Sequence, residues 1–279
     1  MMARWTNQLS PSRILKLAAT WLLCHFSVTV SSQRPKILCL HGGGGNSASM
    51  AQAVGDLVDA LPEFEFVFAN AAYGSNKDGY LWISDPPGGK GEPTTDPAFA
   101  DASIQALNDL VDAEGPFYGI MGYSQGGAFV PVYLSRVPAG TFQMAVTFCG
   151  YLTTTHAGIL NVVNQNSPFG DIPHLVWMGE SDFIISNSMT IAMSEIFTDP
   201  FVLVSPAGHY PPRKNDATFE QVTSWIQQQQ DSNLTIAPAP GPTPGQPPPS
   251  SAPSNQSPTT IPFLLFVNVL LFVCFYFLD

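Results

Sequence analysis

Residues 117–127 read FYGIMGYSQGG, an apolar run that ends in Gly122-Tyr123-Ser124-Gln125-Gly126 and passes into the apolar stretch AFVPVYL at 128–134. A β-strand that turns at once into a helix fits this order. Such a turn forces the serine backbone into a strained conformation; the flanking glycines leave room for it, and the hydroxyl then stands clear at the carboxyl end of the strand. The helix N-terminus behind the serine favours developing negative charge. Pro131, about two turns into that helix, lacks an N–H and crowds the preceding turn, at a cost of about 3 kcal/mol that a kink would relieve.

Working outward, five more short runs rich in Val, Ile and Phe occur at 36–40 (KILCL), 65–70 (EFVFAN), 144–149 (MAVTFC), 174–178 (HLVWM) and 201–205 (FVLVS). They read as strands buried on both faces, as in a parallel sheet. Helical spacing appears between them in Met50, Val54, Leu57, Val58 and Leu61, in Ile104, Leu107, Leu110 and Val111, and after the last run in Phe219, Val222, Trp225 and Ile226. This alternation specifies an α/β layered domain. Residues 71–100 break the pattern, being rich in Gly and Pro yet carrying Tyr80, Leu81 and Trp82. A loop that long predicts a partial lid whose aromatic side chains line an acyl pocket.

A serine hydroxyl is a poor nucleophile at neutral pH and needs a general base, which in turn needs an orienting carboxylate, in the chain order Ser, acid, His. Asp182 follows the strand HLVWM in MGESDF, and His209 follows FVLVS in PAGHYPP. Both then sit with Ser124 at the carboxyl edge of the sheet, where parallel sheets place their sites. Among the alternatives, His156 precedes the proposed acid and His174 opens a strand at its far end. Glu180 adjoins the same strand as Asp182, and Asp171 precedes it. A tetrahedral intermediate needs preorganised N–H donors. Gln125 supplies one, as the residue after the nucleophile, and the loop Leu40-His41-Gly42-Gly43-Gly44-Gly45 supplies a second from Gly42 or Gly43. His41 reads as a residue that orders this loop rather than as a base. No G-K-[ST] follows the glycines, so a phosphate cradle is a poor reading. Trp82, Tyr123, Phe183 and Ile184 are the candidates for contact with an uncharged acyl group. This chemistry requires no metal and no organic cofactor.

The segments KILCLHGGGGNS, GPFYGIMGYSQGGAF, MGESDF and AGHYPP, in that order, resemble the FSH-type serine hydrolases of the α/β-hydrolase superfamily over roughly residues 35–228. The resemblance implies an α/β-hydrolase fold with a reduced, mostly parallel central sheet flanked by helices. It also implies Ser124 as nucleophile, Asp182 as acid, His209 as base, and hydrolysis of carboxylic esters or thioesters through an acyl-enzyme. The acyl-protein thioesterases share the G-x-S-Q-G-G stretch. The rival expectation is a ligand-binding or adhesion module that keeps the fold without turnover.

Charge and the chain ends bound the rest. The 279 residues carry 10 Lys+Arg against 21 Asp+Glu, a net charge of −11, which argues against nucleic acid as a partner. Residues 1–32 hold Arg4, Arg13 and Lys16 ahead of an apolar stretch and a small-residue Val30-Ser31-Ser32, the layout of a secretory signal peptide. Residues 33–231 form the expected catalytic domain. Residues 232–260, with nine prolines, read as an extended stalk, with glycosylation sequons at Asn233 and Asn255. The tail from Ile261 to Leu278 would span about 27 Å as a helix, and no Lys or Arg follows it. A glycolipid (GPI) attachment signal explains that ending better than a retained single-pass helix, and either places the protein at the cell surface. Cys24 and Cys274 lie in these ends, and Cys39 and Cys149 read as buried small hydrophobes.

Overall fold

The computed structural model describes residues 33–75 and 79–235. The expected signal peptide, the hydrophobic tail and the stalk beyond Thr235 lie outside the described residues.

Six parallel strands form the central sheet: β1 (Lys36–Leu40), β2 (Glu65–Ala69), β5 (Gly119–Tyr123), β6 (Met144–Phe148), β7 (His174–Gly179) and β8 (Phe201–Ser205), in the spatial order β2-β1-β5-β6-β7-β8. On the four inner strands the side chains alternate between two cores, whereas the edge strand β8 leaves Phe201, Val202 and Val204 exposed, so the run at 201–205 is not covered on both faces as expected. On β1, Leu38 and Leu40 face a cluster completed by Ile120, Phe129, Tyr133 and Ile159, while Ile37 and Cys39 face one completed by Met50, Leu57, Trp177 and Val222. A strand that must be apolar on both faces has no polar alternation, which is why these runs were continuous in the sequence.

The helices are α1 (Ser47–Ala53), α2 (Gly55–Ala60), α3 (Asp101–Glu114), α4 (Gln125–Leu134), α5 (Ala157–Asn166), α6 (Asn187–Ser194) and α7 (Phe219–Thr235). Helix α1 starts in a capping box, with the Asn46 side chain accepting from the Ser49 amide and the Ser49 hydroxyl accepting from the Asn46 amide. The apolar spacing at 50–61 belongs to two helices that meet at Val54 rather than to one. Helix α4 runs unbroken through Pro131, with every residue from Gly126 to Tyr133 buried. Packing on all sides offsets the lost hydrogen bond there. Helix α7 continues to Thr235, past the expected boundary at 231, and the first proline beyond it is Pro238. Among the described residues no helix is long and apolar enough to cross a membrane.

The expected loop at 71–100 contains a hairpin of β3 (Tyr73–Ser75) and β4 (Gly79–Leu81), joined to the glycine loop by hydrogen bonds from Gly44 N–H to the Tyr80 carbonyl and from Tyr80 N–H to the Gly45 carbonyl, both 2.9 Å. A short 3-10 turn, Pro97–Ala100, leads into α3. Strand β5 sits two residues later than its apolar run, ending at Tyr123 so that Ser124 itself makes the turn.

That turn depends on close backbone approach. A Cβ at Gly126 would fall on the carbonyl oxygens of Leu40 and His41, and one at Gly122 on the carbonyl of Gly126. Gly126→Ala should therefore lower stability by about 1–3 kcal/mol, read as a reduced urea midpoint. Gly55→Ala, with open space around it at the start of α2, should be neutral or slightly stabilising in the same assay.

Candidate active site

Ser124 joins β5 to α4 with φ 53° and ψ −117°, a conformation that costs a non-glycine residue about 1–3 kcal/mol and is held by the packing on either side. Its amide donates to the Phe148 carbonyl of β6. The loop after β7 presents Asp182 and the loop after β8 presents His209. The two loops are stitched together by Glu180 N–H to the Ser205 carbonyl (2.6 Å) and Ser181 N–H to the Ala207 carbonyl (2.9 Å). Gly179 lets them approach, since a Cβ there would meet the carbonyls of Ala207 and Gly208.

The three side chains meet. His209 Nε2 lies 3.0 Å from Ser124 Oγ, and His209 Nδ1 lies 2.7 Å from Asp182 Oδ2. A carboxylate accepts at Nδ1, so that nitrogen carries the proton and Nε2 is left to accept from the serine hydroxyl. The second carboxylate oxygen, Oδ1, accepts from the amides of Ile184 and Ile185, each at 2.9 Å. Burial pushes the Asp182 carboxyl up, but the His209 hydrogen bond and these two amides outweigh it and hold the group below the usual carboxylate range. The Asp182 side chain is 1% exposed and the imidazole 11%, so solvent reaches the site from the histidine side.

The glycine loop lies against Ser124. A Cβ on Gly42 would stand 3.4 Å from Ser124 Cβ, and one on Gly43 would stand 3.4 Å from Gln125 Cβ. The amides of Gly44 and Gly45 are bonded to the carbonyls of Tyr80 and Gly42. The Gln125 amide opens α4 and therefore has no partner within the helix. His41 holds this loop. The Ala71 amide donates to His41 Nε2 (3.1 Å), which places the ring proton on Nδ1, where it donates to the Gly42 carbonyl (2.7 Å). Burial lowers its pKa and keeps the ring neutral.

Of the four residues expected against an acyl group, Phe183 and Ile184 are 92% and 60% exposed beside Asp182. Tyr123 turns its ring to His209 and donates its hydroxyl to the His209 carbonyl at 2.8 Å. Burial, with Cys149 and Asp182 nearby, pushes that phenol up to about 12, so it stays a donor. Trp82 departs from the expectation. It is fully buried, stacked on Phe129, with its indole N–H on the His41 carbonyl at 2.8 Å, because an indole in a core must still satisfy that donor. It anchors the 71–100 segment instead of lining a pocket. The Gln125 side chain ties the same segment down, accepting from the Trp82 amide at 2.9 Å.

The alternative residues lie elsewhere. His156 bonds the Ser84 carbonyl, His174 bonds Thr147 at the opposite end of β7, and Glu180 is exposed. Nothing in the sequence marked Tyr123, Gln125 or Trp82 as supports, because each acts through a partner more than 40 residues away.

A sheet of this order, with serine, imidazole and carboxylate joined at its carboxyl edge, defines a serine hydrolase of the α/β-hydrolase class. Residues 30–221 match the serine hydrolase (FSH1) family, and the chain belongs to it. Similar relatives include an esterase of Anopheles gambiae, 30% identical over 64% of this chain and 73% of that one. An esterase of Caenorhabditis elegans is 25% identical over 73% of this chain and 98% of that one. Similar solved structures include a carboxylesterase from Mesorhizobium loti, with TM-score 0.53 and 17% identity over 70% of this chain and 90% of that one. Acyl-protein thioesterase 2 of Zea mays aligns with TM-score 0.51 and 19% identity over 72% and 95%. These two likenesses concern the fold. The protein is thus an enzyme of ester hydrolysis.

Because Asp182 is held below its unfolded value of about 3.9, its ionised form stabilises the native state above that pH, and the contribution is lost as pH falls through the lower native value. Urea unfolding of wild type should accordingly weaken more steeply below about pH 4 than that of Asp182→Asn. Parallel curves would contradict the assignment of the depressed group.

Proposed function

We propose that Ser124, His209 and Asp182 carry out hydrolysis of esters or thioesters of uncharged, apolar acyl groups. The observation that carries this reading is the unbroken chain of two hydrogen bonds, 3.0 Å and 2.7 Å, from the serine hydroxyl to the carboxylate. His209 Nε2 takes the serine proton as Oγ attacks the acyl carbonyl. Asp182 holds the imidazolium that forms without itself being protonated. The amide of Gln125, with that of Gly42 or Gly43, receives the developing oxyanion, a contribution on the order of 3–4 kcal/mol for one donor. The imidazolium then gives its proton to the leaving group, and water repeats the sequence to release the acyl group from Ser124.

The apolar preference is supported by Phe183 and Ile184, large side chains left exposed directly after the acid. The net charge of −11 disfavours anionic substrates. Purified protein should hydrolyse p-nitrophenyl acyl esters, and Ser124→Ala should reduce kcat by about 10⁴-fold or more. Equal turnover by that variant would remove the mechanism. Phe183→Ser with Ile184→Ser should raise KM for longer acyl chains by roughly tenfold, about the worth of one or two buried methylenes, with kcat little changed.

We also place the enzyme at the cell surface, on the basic and apolar leader, the proline-rich stalk and the uncharged apolar tail. Phosphatidylinositol-specific phospholipase C should release it from cells. Retention, beside a control protein that is released, would favour a single-pass helix.

A further inference from the structure

Cys149 directly follows β6 at φ 50° and is fully buried, and the proposed reaction leaves its thiol without a task. Its sulfur, a carboxylate oxygen of Asp182 and a ring nitrogen of His209 all lie within 4.8 Å of one another. Thiolate, imidazole and carboxylate are the three donor types that hold Zn²⁺, at about 2.3, 2.0 and 2.1 Å, which sets tetrahedral donors about 3.3–3.5 Å apart. No pair in the cluster lies beyond 4.8 Å, and the hydrogen-bonded His209 Nδ1–Asp182 Oδ2 pair at 2.7 Å has to open by about 0.6 Å to admit the metal between its atoms. A serine-histidine-aspartate triad alone offers only an imidazole and a carboxylate. Cys149 adds the third, softer ligand on the buried side.

We propose that Cys149, Asp182 and His209 form an inhibitory site for a borderline-soft divalent cation of the Zn²⁺ class. The imidazole, with 11% of its side chain exposed, is less buried than the carboxylate, so the cation enters past His209, and the fourth position is left to water. Bonds form from the metal to Sγ, to a carboxylate oxygen and to Nδ1. The thiol proton is released to solvent, and the neutral imidazole now carries its proton on Nε2 instead of Nδ1; no electron is transferred. Nε2, which faces Ser124 Oγ, then has no lone pair to accept the serine proton, and turnover stops. This inhibitory half rests on the proposed role of His209, whereas metal binding does not. Mg²⁺ and Ca²⁺, which take oxygen ligands, should not compete for the site.

The test uses the full-length chain. Zn²⁺ should inhibit p-nitrophenyl ester hydrolysis, EDTA should restore it, and Mg²⁺ and Ca²⁺ should leave it unchanged. Cys149→Ser should weaken the apparent Zn²⁺ affinity at least tenfold, measured against its own uninhibited rate. Cys149→Gly, which suits the positive φ, should do the same and serves if the serine variant does not fold. Cys39→Ala, which removes the other described thiol, should respond like wild type. In parallel, Co²⁺ added to Ser124→Ala protein should give a thiolate-to-metal charge-transfer band that is missing when Cys149 is also replaced. The band without any esterase activity in wild type would keep the metal site and remove the hydrolytic reading. Esterase activity with no Zn²⁺ inhibition, or inhibition undiminished in both Cys149 variants, would overturn the proposal.

Discussion

Ser124 holds a positive φ between a buried strand and a buried helix, and the arrangement around the site follows from keeping it there. The strain of one such residue is about 1–3 kcal/mol, small beside the burial of the strand and helix that flank it. Gly122 and Gly126 are what allow the two to meet, and Gly126 also admits the carbonyls of Leu40 and His41 into contact with the turn. The same close approach brings the glycine loop to the nucleophile. One packing solution thus sets both the turn at Ser124 and the approach of the glycine loop to it.

The other half of the site depends on pairing between the last two strands. Strand β8 lies beside β7, and the hydrogen bonds from Glu180 to Ser205, the last residue of β8, and from Ser181 to Ala207 just beyond it hold the Asp182 and His209 segments together. Tyr123, on the strand that carries the nucleophile, reaches across to the His209 carbonyl. The imidazole is therefore fixed from both sides: by a carboxylate on its Nδ1 and by a phenol on its backbone. Asp182 stays ionised in a nearly closed site because three donors surround it, not because water does.

The strands were legible because a doubly covered parallel sheet writes itself as continuous apolar runs, and the order of Ser124, Asp182 and His209 followed from which strand each one trails. The exceptions have physical causes. The run FYGIM marks the right strand two residues too early, since Phe117 is buried ahead of the ladder that starts at Gly119. Helices α5 and α6 went unread; α6 leaves Met189 and Ile191 exposed, so its apolar residues mark no single buried face. A tryptophan in a segment rich in glycine and proline reads as a pocket residue, yet Trp82 is fully buried. Its role as an anchor depends on the carbonyl of His41, which sequence spacing does not reveal. Cys149 read correctly as buried, yet the carboxylate and imidazole beside it come from loops after two other strands.

The exposed pair Phe183 and Ile184 sits on the same short segment that positions the Asp182 carboxylate. The amides of Ile184 and Ile185 bind Asp182 Oδ1, so the backbone that displays these side chains is also the backbone that fixes the carboxylate. A loop free to fold over an acyl chain would have to break those two bonds and leave a buried carboxylate oxygen without its donors, at a cost of at least 1–3 kcal/mol. The apolar pair is thereby kept on a rigid turn. In the proposed reaction, an acyl group must come to that surface rather than be enclosed by it, which ties selectivity to the shape of Phe183 and Ile184 and leaves the geometry of the acid unchanged from one substrate to the next.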